Sequence, residues 1–221
     1  MTTVAIMQPY FMPYLGYFRL FSQSDMFVIY DCVQFPRRGY VHRNQVPNAA
    51  GQPVWITLPL TKCDQKTWIA DLQWRQQDVP AFSRQLAELS RYWPVKASEH
   101  RVKEWHTVLT NFDGSVVDYL ERTLAWACQC LSVSFRVVRS STLEVDPALK
   151  GQARILEICR RLGASRYLNS PGGRALYQEE VFGQAGIELA FLPEFVSNKW
   201  SLAYRLLSES GAELTQAMAG A

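Results

Sequence analysis

The chain has 221 residues, 48% of them hydrophobic and 19% charged, which excludes a disordered or fibrous protein. A single domain of this size buries roughly 70% of its unfolded surface, so it needs no covalent staples. The 23 Lys and Arg against 20 Asp and Glu leave a net charge of +3, too mild to mark a nucleic-acid or membrane-surface protein by charge alone.

Five cysteines are an odd count and cannot all pair within one chain. Cys128 and Cys130 are too close together for a zinc knuckle, and no second CxxC pair exists. Idle buried thiols and a reducing cytoplasm are the expectation. The chain starts on a strand-like segment, Val4-Ala5-Ile6-Met7, without a basic leader or cleavage site. No stretch approaches the roughly 18 apolar residues that cross a bilayer.

In chain order, residues 4–8 read as a short buried strand and 15–24 as a helix with Leu15, Phe18 and Phe21 on one side. Residues 26–31 form a second apolar run ending in Asp31, the pattern of a parallel strand whose carboxyl end meets a site. Residues 32–53 read as loop, punctuated by Pro36, Gly39, Pro47, Asn48 and Gly51. Strands follow at 54–60 and, more weakly, at 67–74. Helices are expected near 79–92, with Asp78 as N-cap, and near 99–111 and 114–131. The remainder alternates: strand 134–139, helix 148–162 ending at Gly163, strand 165–169, the loop Ser170-Pro171-Gly172-Gly173, a helix to about 184, strand 187–192 and a last helix at 200–209. The alternation predicts an α/β fold, a mostly parallel Rossmann-like sheet with helices on both faces and a helical middle segment. Residues 1–210 are expected to form one domain, with a frayed tail at 211–221. Trp68, Trp74 and Trp93 serve either as core or as the interface of a homodimer.

Three segments carry candidate chemistry. In the first, Gln8 leaves the opening strand and Tyr10, Tyr14, Gly16 and Tyr17 follow around two prolines. Such a turn aims backbone N–H groups and a helix start at whatever binds above the strand, although a purely packing turn has the same spacing. The second segment gathers Asp31, Gln34, Arg37, Arg38, Tyr40, His42, Arg43 and Asn44 just after a buried strand. Arginine suits carboxylate or phosphate, and histidine moves protons near neutral pH. Thr57 and Lys62 flank the next strand, where Lys62 can meet an anion. Third, Asn169, Ser170, Gly172 and Gly173 lie between a late strand and a helix, placed to form a second wall of the same cleft. Ser197 or Asn198 is expected to cap the last helix. Cys63 has only Lys62 to lower its pKa, so it is not expected to be a nucleophile. His100, Glu104 and His106 complete no metal motif.

Gln8-Pro9-Tyr10-Phe11-Met12-Pro13-Tyr14-Leu15-Gly16-Tyr17-Phe18 resembles the opening signature of the WbqC-like family. So do Phe27 to Phe35, His42-Arg43-Asn44, and Trp55-Ile56-Thr57-Leu58-Pro59-Leu60. Weaker similarity continues through Tyr167-Leu168-Asn169-Ser170, Gly172-Gly173, Tyr177, Phe182 and Gly186-Ile187. Asp31-Cys32 departs from the two acidic residues that the family often has there. The resemblance implies a role in surface-polysaccharide or natural-product biosynthesis. More distantly, Tyr14-Leu15-Gly16-Tyr17 resembles the His-x-Gly-His motif of the nucleotidylyltransferase (HUP) fold, with both histidines replaced by tyrosine. Tyrosine is neutral near pH 7 and lacks the cationic form that stabilises phosphate charge, so that resemblance implies a similar fold with altered chemistry.

The expected function is a transferase or ligase acting on a small metabolite or sugar, with an anionic, nucleotide- or acyl-bearing substrate at the strand ends. Gln8 and the Tyr14–Tyr17 turn would hold its anion, Arg43 and Asn44 would orient the second substrate, and Asp31 or His42 would handle a proton. The alternative is a non-catalytic accessory protein that binds a nucleotide or metabolite. The cofactor is left open, with a nucleotide such as ATP and Mg²⁺ as the candidates. Nucleic-acid binding is set aside, because one basic loop with aromatics is too little for it.

Overall fold

The computed structural model describes residues 1–219. Five short strands make one parallel sheet: β1 (Thr3–Met7), β2 (Met26–Ile29), β5 (Val137–Arg139), β6 (Arg166–Asn169) and β7 (Glu188–Phe191), in the order β5-β2-β1-β6-β7. Two further strands, β3 (Arg43–Pro47) and β4 (Pro53–Thr57), pair as a separate antiparallel hairpin. The architecture is α/β with a Rossmann-like strand order. From β1 the chain steps outward through β2 to β5, then returns to the other side of β1 as β6. The order therefore reverses between β1 and β6, where open parallel sheets leave a crevice at the strand carboxyl ends.

Alternation along the strands explains why both faces are covered. Ala5, Phe27, Ile29 and Leu168 point into one core, and Val4, Ile6, Val28 and Tyr167 into another. The larger core takes α1 (Arg19–Ser22) with the 3₁₀ turn before it (Leu15–Phe18), and the helical middle segment of α2 (Val79–Ser90), α3 (Glu99–Thr110) and α4 (Val116–Cys130). The smaller core is closed by α5 (Gly151–Arg161) and α6 (Glu179–Gln184) through Ile155, Ile158, Cys159 and Phe182. Helix α7 (Leu202–Ser208) returns to the larger core. Edge strand β5 is tied down by Arg139, which donates to Asp118 at 2.7 Å and Glu121 at 2.6 Å on α4.

Several boundaries differ from expectation. The segment 32–53 is not all loop, since it contains β3 and the start of β4. Residues 67–74 are not a strand. They carry a 3₁₀ turn (Ile69–Asp71) and only single bridges, Gln34 to Trp68 and Leu60 to Trp74. Asp78 caps nothing. A 3₁₀ turn (Gln76–Asp78) leads directly into α2, and the Asp78 carboxylate pairs with Arg75 at 3.3 Å. Ser201 caps α7, its hydroxyl accepting from the Ala203 N–H, so neither Ser197 nor Asn198 does so. From Gly211, where fraying is the expectation, the chain is helical as α8 (Gly211–Ala219), with Leu214 buried. A reciprocal box starts it: the Ser210 N–H donates to the Glu213 carboxylate, and the Glu213 N–H donates to the Ser210 hydroxyl. Trp93 is core, Trp74 half-buried and Trp68 exposed. No helix among the described residues is long and apolar enough to cross a membrane.

Candidate functional site

The first segment becomes a tight turn over the end of β1. Met12 at its apex is fully buried with φ +40°, a left-handed conformation that costs energy in a non-glycine residue. Its carbonyl accepts from the Asn44 side-chain amide at 2.8 Å, the Ser201 hydroxyl at 2.7 Å and the Leu202 N–H at 3.2 Å. The other Asn44 amide hydrogen goes to the Phe11 carbonyl at 3.0 Å, while the Asn44 Oδ1 accepts from the Gln45 N–H at 2.8 Å. Asn44 thus uses its whole hydrogen-bonding capacity on backbone, apart from one acceptor lone pair. The hairpin and the cap of α7 hold the turn in a shape it would not keep alone.

Beside this turn the crevice holds two adjoining cavities. One, of about 80 Å³, lies over the ends of β1, β6 and β7, with Tyr10, Tyr14, Tyr17, Arg19, Ser170 and Phe195 in its wall. The other, of about 390 Å³, is lined by Tyr10, Pro13, Tyr14, Tyr40, Gln45 and Lys199, with Asn44 beneath. Tyr10 and Tyr14 belong to both. Aromatic rings run outward from the core, Tyr17 to Tyr10 at 5.5 Å, Tyr10 to Tyr40 at 5.7 Å and Tyr40 to Trp55 at 5.9 Å between centroids. Burial raises the pKa of Tyr10, with help from Tyr14 and Tyr40. Burial also raises that of Tyr14, where Glu194 adds to the effect and Arg19 opposes it. Both phenols are therefore neutral hydrogen-bond donors at physiological pH. Tyr17 contributes its ring, because its hydroxyl donates to the Gln8 carbonyl at 2.8 Å. Gly16 has no room for a side chain: a Cβ there would sit 2.4 Å from Tyr14 and 2.6 Å from Phe195.

The expected catalytic residues lie elsewhere. Asp31 is buried at the end of β2, and its carboxylate accepts from the Ser140 hydroxyl, the Ser141 N–H and the Ser141 hydroxyl at 2.9, 2.9 and 2.6 Å. It ties β2 to the turn after β5. His42 lines a third, open cavity of about 490 Å³ against the hairpin, together with Arg37, Thr57, Lys62 and Cys63. Its ring packs edge-on to Phe35, and its Nδ1 has no hydrogen-bond partner among the described residues. Burial, assisted by Arg43, lowers the His42 pKa to about 4, so the imidazole is neutral at pH 7. Arg43 lies over the Trp55 ring at 4.3 Å and donates to the Arg38 and Gly39 carbonyls, bracing the loop before β3. Gln34 donates to the Gln65 carbonyl.

On the opposite wall, the Asn169 Oδ1 accepts from the Ser170 N–H at 2.7 Å. A Cβ on Gly173 would meet the Asn169 amide nitrogen at 2.4 Å, whereas Gly172 faces open space. Of the expected site residues the structure therefore brings Tyr10, Tyr14, Gly16, Tyr17, Asn44 and Ser170 to the crevice. It places His42, Thr57 and Lys62 in the separate hairpin cavity, and Asp31, Gln34 and Arg43 in bracing positions. Sequence reasoning missed Arg19, Gln45 and Phe195. Arg19 had a signal: it is the one charge in Tyr17-Phe18-Arg19-Leu20-Phe21. Among the described residues no three His, Cys, Asp or Glu are grouped so as to hold a metal ion.

The uncharacterized protein Rv1507c of Mycobacterium tuberculosis is 27% identical over 205 residues, covering 86% of this chain and 82% of that protein. No solved structure matches the chain. The WbqC-like protein family matches residues 8–201, a span that includes the turn, the hairpin, every strand of the sheet except β1, and the Ser201 cap. The chain belongs to the WbqC-like protein family.

Proposed function

We propose that the protein is a transferase or ligase acting on a small metabolite or sugar in surface-polysaccharide or natural-product biosynthesis, working in the cytoplasm as one unit over residues 1–210. The observation that supports this most directly is the pair of cavities sharing Tyr10 and Tyr14 at the reversal of strand order. Two chambers meeting at neutral phenol donors suit two substrate parts brought together, and a crevice at that reversal is where open α/β sheets bind ligands. The larger chamber offers aromatic faces with Gln45 and Lys199 at its edge, a lining suited to a ring that carries hydroxyl or anionic groups. A thermal-shift screen against nucleotide-sugars, ATP, CTP, acetyl-CoA and amino acids, with and without Mg²⁺, tests the reading. A ligand at a hundredfold excess over Kd stabilises by about 2.7 kcal/mol. That shift should vanish in Tyr10→Ala. A screen without any shift overturns the proposal.

One observation favours a second reading, an accessory protein that binds without turnover. The residues lining the two chambers include no carboxylate, histidine or thiol. Proton transfer would then fall to the substrates or to a phenol. A ligand that binds and is recovered unchanged after incubation with every candidate acceptor decides for this second reading.

A further inference from the structure

Three arginines are buried, and they are treated differently. Arg205, 1% exposed, is gripped by both oxygens of Glu209 at 2.7 Å. Arg154 donates to the Cys32 and Pro147 carbonyls and faces the Trp68 ring at 5.8 Å. Arg19, 3% exposed, makes one side-chain hydrogen bond, to the Pro193 carbonyl at 3.1 Å, and none of the ion pairs among the described residues involves it. A guanidinium brings five donors, and burying it without an anion carries a heavy desolvation cost. Arg19 lines the smaller chamber of the crevice.

We infer that this chamber is a binding site for the carboxylate of a small monocarboxylic acid, or of an acyl-like arm of a larger substrate, with Arg19 as its counter-ion. The inference rests on the crevice being a substrate site and adds the class of group bound there.

Size, charge and lining each narrow the class. About 80 Å³ is the room of a few water molecules, enough for a carboxylate on a short stem and too little for a ribose or a triphosphate. The wall is largely apolar, with Met7, Leu20, Leu192 and Phe195, which suits an aliphatic stem. One cation lines the chamber, so a single negative charge is matched. A phosphate monoester, at about −1.5 to −2 near pH 7, leaves an excess that the apolar wall cannot solvate. The planar guanidinium fork presents paired N–H groups to a carboxylate, and Tyr14 and Ser170 are residues of the same wall.

The test uses the full chain and ligand-observed saturation-transfer NMR. Propionate is the probe, propionamide its neutral isostere, inorganic phosphate the competitor, and UMP the ring probe for the larger chamber. Propionate should show transfer, propionamide none, and phosphate should not displace propionate at equal concentration. Arg19→Met should weaken propionate by about tenfold or more, and Arg19→Lys by less, since it keeps the charge and loses the fork. Equal transfer to propionate and propionamide, displacement by equimolar phosphate, or undiminished propionate binding in Arg19→Met overturns the inference. If Arg19→Met does not fold, the propionate–propionamide comparison on the wild type decides alone. UMP binding without propionate binding rejects the carboxylate site and leaves the crevice reading standing. Absence of both rejects the two together.

Discussion

Asp31 and Ser141 lie 110 residues apart and share a 2.6 Å hydrogen bond in which the serine hydroxyl donates to the carboxylate. With the Ser141 N–H and the Ser140 hydroxyl on its other oxygen, Asp31 works as a strut between neighbouring strand ends. Asp31→Asn turns an acceptor into a donor facing donors, and should cost about 2–3 kcal/mol of stability in urea denaturation. If Asp31 is only a strut, ligand Kd in the crevice stays at the wild-type value. A variant of wild-type stability with abolished turnover would instead place Asp31 in the chemistry.

Asn44 supports the Met12 turn through two buried donations and no ligand is needed to satisfy it. Asn44→Ala leaves the Phe11 carbonyl without its side-chain donor and removes one of three donors from that of Met12. The expected loss is about 2–4 kcal/mol, read from the denaturation midpoint, together with weaker binding of any crevice ligand. Retention of full stability would mean that the left-handed Met12 is held by the Ser201 cap alone.

Gly172 and Gly173 make a matched pair. Gly173→Ala drives a methyl into the Asn169 amide beneath it and should cost about 1–3 kcal/mol. Gly172→Ala faces open space and should be close to neutral. Thermal melts of the two variants side by side check this, and equal effects would contradict the packing of that loop.

His42 gives stability a pH dependence of known sign. Its folded pKa, about 4, lies below the ordinary 6.5, so between those values the unfolded chain holds more protons. His42 therefore makes stability fall as pH drops from about 6.5 toward 4, with no further change below. Because the ring is partly solvated, the effect should be about 1–2 kcal/mol. Urea midpoints at several pH values, compared with those of His42→Gln, isolate it. An unchanged slope in the variant would show that another group is responsible.

The sheet was legible because its strands are buried on both sides and read as apolar runs, as Val4–Ile6 and Phe27–Ile29 do. The second strand of the hairpin was legible at 54–60, whereas the first was hidden by the residues that close the hairpin. Pro47, Asn48, Gly51 and Pro53 look like loop breakers, yet the two prolines pair across the last rung and Asn48 folds the turn by accepting from the Ala50 and Gln52 N–H groups. The segment after Lys66 has strand-like residues but only single bridges, which composition does not reveal. Within the site, closeness in sequence misled. Asp31 and His42 are eleven residues apart, yet one follows a sheet strand while the other lines a separate cavity beside the hairpin. Arg19 went unnoticed for the opposite reason. A lone charge in a helix usually points to solvent, and only the tertiary structure shows it enclosed.

The Met12 carbonyl draws together residues 12, 44 and 201, and its bond to Ser201 spans 189 positions. A chain emerging from the ribosome has made the whole sheet before it reaches that serine. Until then the turn lacks the hydroxyl and the N–H that its carbonyl accepts from, those of Ser201 and Leu202. Loop-closure entropy of so distant a contact must be met before the strained conformation is held, so the shape of the turn belongs to the finished chain and not to any N-terminal fragment.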